Sequence, residues 1–503
     1  MKHLEWKENP IILEINTVPW LEFMLNGGHE ETTLEFVPGD FFQSIKGKYD
    51  AVWLMGAWSR SPESALIAKE HDGLQQEFLE ILPDLHPEDI IGSPYSIHEY
   101  TISDLVGGER GLISFREELA DIDMNLVLDF VPNHVGIDHP WLNRCPGCLI
   151  TGNERATREH PEWFFQKNEM HFAYGRDPYF PPWTDTVQVN AFSTEYREQA
   201  CKLLDSIASL CDGVRCDMAM LLMDNVFTRT WGDLAGPPMD TPFWKKIIGW
   251  MKQEHPGFKF IAEVYWDMEW ELQQQGFHFC YDKRLYDRLR HGQVEEIRAH
   301  LKAPLAYQQK LIRFTENHDE SRAAKAFGDE KSLAAMGITA SLPGACLIHQ
   351  GQDLGWKRKV PVHLRRFPAE EINTKVQDFH EWLLETLKKA GIGLSMRESN
   401  WRLLDIQGNH ASECILHLWV HGSNHAIITT NYSPRQVSVS LSLDDIIDTL
   451  ELEPLNGKGS WWVSEIDPNG KSTFMVDQDP GASFLVDLSA WATKIINIKP
   501  ASE

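Results

Sequence analysis

Cysteine is scarce, with eight in 503 residues, too few for a chain this long to rest on a disulfide framework. Basic residues are also in deficit: 47 Lys and Arg stand against 74 Asp and Glu, a formal net charge of −27. That balance argues against a phosphate backbone or an anionic membrane as partner and favours a neutral or cationic one. No apolar run is long enough to span a bilayer, and Met1 to Pro10 holds no apolar core of signal-peptide length. The expected location is the cytoplasm, with no nucleic acid and no membrane as partner. Internal repeats and low-complexity tracts are absent too, apart from the alternation of strand and helix patterns described below.

What is present is the material of a large core. At 42% hydrophobic and 24% charged, the chain reads as globular, with length for two or three domains. Cys211, Cys216, Cys280 and Cys346 lie in or beside apolar strands, as small buried thiols do. Cys145-Pro-Gly-Cys148 sits in a loop. A single pair supplies two ligands where structural zinc takes four, so it reads as loop thiols open to redox chemistry rather than a zinc half-site.

The chain is organised around Asp212-Gly213-Val214-Arg215-Cys216-Asp217. Arg215 and Asp217 are two apart, so on a strand they share a face. A neighbouring guanidinium keeps a carboxylate ionised, which suits either a nucleophile or a structural ion pair. Three other stretches have the same form, an apolar strand ending in polar groups. Asn125 runs to Asn133-His134, Phe258 to Trp266 carries Glu263, and Leu311 runs to His318-Asp319.

Along the chain, Ile11 to Trp20 and Tyr49 to Trp58 are nearly continuous apolar runs, as parallel strands covered on both faces require. A long loop from the second run to about Gly111 contains Tyr95. A helix is expected from Gly111 to Ala120, and another over 193–210 with Ser193 or Thr194 as cap. Further helices are read at 242–255, 283–305, 329–341 and 376–390. Short strands are read at 277–282 and 345–350. Eight strands alternating with helices fit a (β/α)8 TIM barrel, an α/β fold. From about Arg397 the pattern becomes alternating, as in Ile415 to Val420, with turn signals at Asn456-Gly and Asp467-Pro. That predicts a separate antiparallel β domain.

The four strand-end motifs, in this order, resemble the α-amylase superfamily, the retaining α-glycosidases and transglycosidases of glycoside hydrolase family 13. The resemblance implies a barrel over 1–134 and 191–394, an inserted subdomain over 135–190 after the third strand, and a C-terminal all-β domain over 395–503. It implies Asp217 as nucleophile, Glu263 as general acid/base and Asp319 as the third carboxylate, gripping sugar hydroxyls. His134 and His318 would hydrogen-bond hydroxyls of the same ring, Arg215 would serve Asp217, and Tyr95 would form the platform under the reacting sugar. Glu263 follows the apolar Phe260 to Ala262, and desolvation there would suit a proton donor.

The departures bear on metal and acceptor. Where many relatives carry a Lys-His pair after the nucleophile, this chain has Met218-Ala219-Met220-Leu221. Asn133 matches a calcium-ligand position, yet the expected acidic group near the end of the insertion is replaced by Thr186 to Asn190. Calcium needs several oxygen ligands, and the chemistry itself requires no cofactor. The expected substrate is an α-glucan or maltooligosaccharide, hydrolysed with retention. The alternatives are a transglycosidase of the 4-α-glucanotransferase kind, an exo-acting α-glucosidase and, remotely, an inactive carbohydrate-binding barrel.

Overall fold

The structure is a computed structural model describing residues 4–26, 33–392, 399–404, 411–421, 424–449, 459–477, 479 and 481–501. Eight strands form a closed barrel: β1 (Ile11–Asn16), β2 (Ala51–Met55), β3 (Asn125–Phe130), β4 (Gly213–Cys216), β5 (Lys259–Ala262), β6 (Phe279–Tyr281), β7 (Leu311–Arg313) and β8 (Ala345–His349). They follow one another around the barrel in sequence order. Every residue of β2, β3, β4 and β8 is buried. That explains the unbroken apolar runs, since side chains of such a strand meet either the barrel interior or the helical layer.

The helix Thr194–Leu210 begins where its cap predicts, with Ser193 Oγ accepting the Tyr196 N–H at 3.3 Å. It buries Tyr196, Ala200, Leu204 and Ile207, one stripe at helical spacing. The expected first strand is shorter than read. It ends at Asn16, and Thr17–Asn26 is a helix. Pro19 has no N–H for a central ladder but is tolerated in a first helical turn. The expected long loop before Gly111 also contains regular structure: helices Pro62–Glu70 and Asp72–Ile81, and the antiparallel pair Trp58–Arg60 with Ile97–Ile102. Ser61 Oγ caps the first of these helices through the Ser64 N–H, and Pro62 occupies its first turn.

The chain divides into two compact units, the first chiefly Ile12–Tyr281 with Arg358–Ala369, the second chiefly Asp282–Lys357 with the chain from Glu370 onward. Within the first, residues 135–190 carry the hairpin Phe164–Lys167 with Met170–Ala173, and Thr186–Gln188 pairs antiparallel with His134–Gly136. Within the second lies a C-terminal six-stranded antiparallel sheet beside the pair Val437–Ser442 and Ser483–Leu488. Its core includes Leu416, Leu418, Ile427, Trp461 and Val463. Asp467 to Gly470 forms the hairpin foreseen at Asp467-Pro. The turn read at Asn456 and the domain boundary at 394/395 lie outside the described residues.

Candidate active site

Arg215 is the third residue of β4, in register with Asp129 on β3 and Ile261 on β5. Its side chain is 1% exposed. Nη1 donates to Asp217 Oδ1 at 2.9 Å, and Nη2 lies 2.9 Å from Glu263 Oε2. Nε donates to the Tyr281 hydroxyl at 3.3 Å. The guanidinium carbon stands 5.3 Å from the ring centroids of Trp53 and Tyr95 and 5.6 Å from that of Tyr281, an aromatic enclosure that suits a cation. Burial works against its charge, but Glu263, Tyr281, Tyr95 and Asp217 outweigh it, so the group stays protonated well above the ordinary arginine range.

The sequence paired Arg215 with Asp217 alone and set Glu263 in apolar surroundings. In the structure one cation serves both carboxylates. The apolar Phe260 to Ala262 is strand, whereas Glu263 lies just past its end. Although buried, Glu263 accepts the Met218 N–H on Oε2 at 2.6 Å and the Tyr265 hydroxyl on Oε1 at 3.1 Å. Met218 reaches it from a left-handed backbone, φ 44°, a conformation a side chain of this kind adopts only where surrounding structure enforces it. The residue after Asp217 is therefore bent to aim its amide at Glu263.

Several groups here escaped the sequence reading. Asp129, 1% exposed within β3, accepts from Trp53 Nε1 at 3.1 Å and from the Gly56 N–H at 2.8 Å. An acid inside Leu-Val-Leu-Asp-Phe was the available signal. Tyr265 follows Glu263 by two residues and Tyr281 ends β6; only their strand-end positions could have marked them.

Tyr95 is half-buried, with Arg215 over its ring. His134 is buried at the start of its short strand, its ring centroid 5.1 Å from that of Trp183. Burial pushes its pKa down to about 4, against Asp185 and a hydrogen bond to the Tyr95 backbone. A neutral imidazole at physiological pH offers one donor and one acceptor. In the second unit, His318 and Asp319 follow β7, with His318 Nε2 3.0 Å from Asp319 Oδ2. The His318 side chain is 1% exposed and that of Asp319 43%. Asn317 Oδ1 accepts the N–H groups of Asp319 and Glu320, each at 2.9 Å, which sets the turn.

The residues at the expected calcium position do not fit that ion. Asn133 Oδ1 accepts from Gln188 Nε2 at 3.0 Å, and Asn133 Nδ2 donates back to Gln188 Oε1 at 3.3 Å. Two neutral amides closed on each other leave no carboxylate where a hard cation needs one. The expected free loop thiols are corrected as well. Cys145 and Cys148 are joined by a disulfide and buried, because consecutive turns at Pro146 and Gly147 bring them together.

Fold and site together define a (β/α)8 barrel with an acidic centre at the C-terminal ends of its strands. No family model matches the chain. The chain is 21% identical over 300 residues to alpha-amylase 3 of Dictyoglomus thermophilum, covering 54% of this chain and 56% of that protein. It is 25% identical over 280 residues to alpha-amylase MalA of Haloarcula japonica, covering 53% and 38%. A 4-alpha-glucanotransferase of Thermotoga maritima matches at 24% over 328 residues, covering 58% and 69%. The chain thus spans less than two thirds of the length of the two amylases. Among solved structures, an alpha-amylase of Geobacillus thermoleovorans complexed with acarbose shares the fold at TM-score 0.67 and 16% identity, over 98% of this chain and 99% of that one. The maltogenic alpha-amylase AmyB of Thermotoga neapolitana does so at TM-score 0.64 and 19% identity, over 97% and 98%. In sequence the chain is thus similar to alpha-amylases and 4-alpha-glucanotransferases, and it shares its fold with solved alpha-amylases.

Proposed function

We propose that the protein is a retaining α-glycosidase of α-glucans or maltooligosaccharides. Asp217 attacks the anomeric carbon, forming a glycosyl ester, while Glu263 protonates the leaving oxygen. Glu263 then takes a proton from the incoming hydroxyl as the ester is cleaved. The observation that carries this reading is the single guanidinium of Arg215 between the two carboxylates. Sharing one cation favours the short separation of a retaining pair, about 5–5.5 Å. It also sets two acids against one guanidinium, a close pair of the kind in which one carboxyl group retains a proton.

In this reading Asp319 grips sugar hydroxyls, His134, held neutral by burial, and His318 hydrogen-bond the same ring, and Tyr95 lies under it. The net charge of −27 suits a neutral glucan rather than nucleic acid or an anionic membrane. Among the described residues no helix is long and apolar enough to cross a membrane, and we place the reaction in the cytoplasm. A second reading, transfer of the glycosyl group to another sugar, is favoured by the likeness to 4-alpha-glucanotransferases.

Incubation with maltoheptaose, and with starch, pullulan, sucrose and trehalose in parallel, separates these readings. Shorter maltooligosaccharides released first as the α-anomer, followed by NMR, are the expected result. Longer products with little free glucose establish transfer, and no turnover on any α-glucoside overturns both.

A further inference from the structure

The Cys145–Cys148 loop takes no part in the chemistry above, yet its packing is close. Both side chains are buried, at 5% and 0% exposure. The turn closes through the Cys148 N–H to the Cys145 carbonyl at 2.9 Å. It packs on the start of the helix Thr194–Leu210. The Gly147 carbonyl accepts from Ser193 Oγ at 2.8 Å, and the Cys148 carbonyl from the Asn190 N–H at 2.8 Å. Glu195, in the first turn of that helix, extends its carboxylate over the loop. A Cβ on residue 147 would meet Glu195 Oε2 and push that side chain aside, so glycine there allows the approach. A carboxylate oxygen of Glu195 and the two sulfurs all lie within 4.8 Å of one another, and no other group of three such donors occurs among the described residues.

We propose that Cys145 Sγ, Cys148 Sγ and the Glu195 carboxylate form a binding site for a thiophilic divalent cation, zinc in class, open only when the disulfide is reduced. The sequence supplied two ligands, and the fold brings a third from a helix further along the chain. Three protein ligands with water in the fourth position make an accepted zinc geometry. A dithiol reductant delivers two electrons and two protons, breaking the S–S bond to give two thiols and its own disulfide. Cation binding then releases the two thiol protons. In a reducing compartment the dithiol is the resting form.

The site is tied to the sugar-binding wall. Beyond Cys148, the Ile150 N–H donates to the Gln188 carbonyl at 3.0 Å, and the Gln188 side chain holds Asn133, next to His134.

The test titrates the full-length protein, reduced with a phosphine, with Co2+ as a zinc probe. The expected result is a thiolate-to-cobalt charge-transfer band saturating at one ion per chain and erased by Zn2+. The band is absent from the oxidised protein and from Cys148→Ser. Glu195→Gln, at an exposed position that leaves folding intact, keeps the band but binds at least about tenfold more weakly, no less than the loss of an outer partner of a metal ligand costs. No band in the reduced protein overturns the proposal, as does an equal band in Cys145→Ser/Cys148→Ser, which would place it on other thiols. Unchanged affinity in Glu195→Gln overturns the three-ligand site.

Discussion

Arg322 and Arg215 are both buried and both anchor carboxylates, and they do so differently. Arg322, in the second unit, donates through Nη1 to Glu316 Oε1 at 2.6 Å and to the Gln350 carbonyl at 2.7 Å, with His349 Nδ1 at 2.9 Å. The other oxygen of Glu316 accepts the Ala323 N–H at 2.6 Å. Burial pushes the Glu316 pKa up, but Arg322, His349 and the Ala323 N–H prevail and hold it below the usual carboxylate range. Here one guanidinium is engaged by a carboxylate, an imidazole and a backbone carbonyl. At Arg215 one cation meets two anions, Asp217 and Glu263, among aromatic rings and beside a left-handed Met218. A matched pair ties a structure together, whereas an unmatched one leaves a charge to be settled by a proton or a substrate. Arginine beside carboxylate is thus not diagnostic by itself; what differs here is that the Arg215 guanidinium touches two carboxylates.

Mutation sharpens or breaks this contrast. The largest effect is expected from Asp217→Asn, a loss of turnover on the order of 10⁴-fold or more with thermal unfolding little changed, because an amide cannot form the glycosyl ester. Substantial residual activity would remove Asp217 from the nucleophile role. Glu263→Gln should slow natural glucans by roughly 10²–10⁴-fold. A substrate with an acidic leaving group, such as a nitrophenyl glycoside, should suffer less in ester formation, since it needs no proton; equal losses would argue against the acid role.

Glu316→Gln should act oppositely. Breaking a buried pair and leaving Arg322 uncompensated costs about 3–5 kcal/mol of stability, read from chemical denaturation, while kcat per folded molecule stays near its starting value. A stable but inactive variant would erase the distinction between the two clusters. The smallest effect is expected from Tyr265→Phe, which removes one hydrogen bond to Glu263, worth about 0.5–1.5 kcal/mol and so at most about a tenfold change in kcat.

Much of the barrel and its site is legible in the residues alone. The apolar runs ending in Asn133-His134, Asp217, Glu263 and Asp319 are barrel strands with their polar ends, and Ser193 caps the helix it was expected to cap. These signals are local: burial on both faces writes a continuous apolar run, and a helix start needs a side-chain acceptor. The misses are equally local in origin. The expected first strand runs into a helix, Thr17–Asn26, where an aromatic-bearing loop was expected, and the Ser61-Pro62 start of a helix lies inside an expected loop.

The sequence by itself determined the barrel, the order of its strand-end carboxylates and the antiparallel character of the last hundred residues, because period and composition act over a few residues at a time. Only the tertiary structure decided that Arg215 serves two acids rather than one, that Asn133 is closed off by Gln188, and that Glu195 reaches the Cys145–Cys148 turn. Each of these joins groups far apart in the chain. Their meeting depends on how strands register and helices pack, which no local propensity encodes.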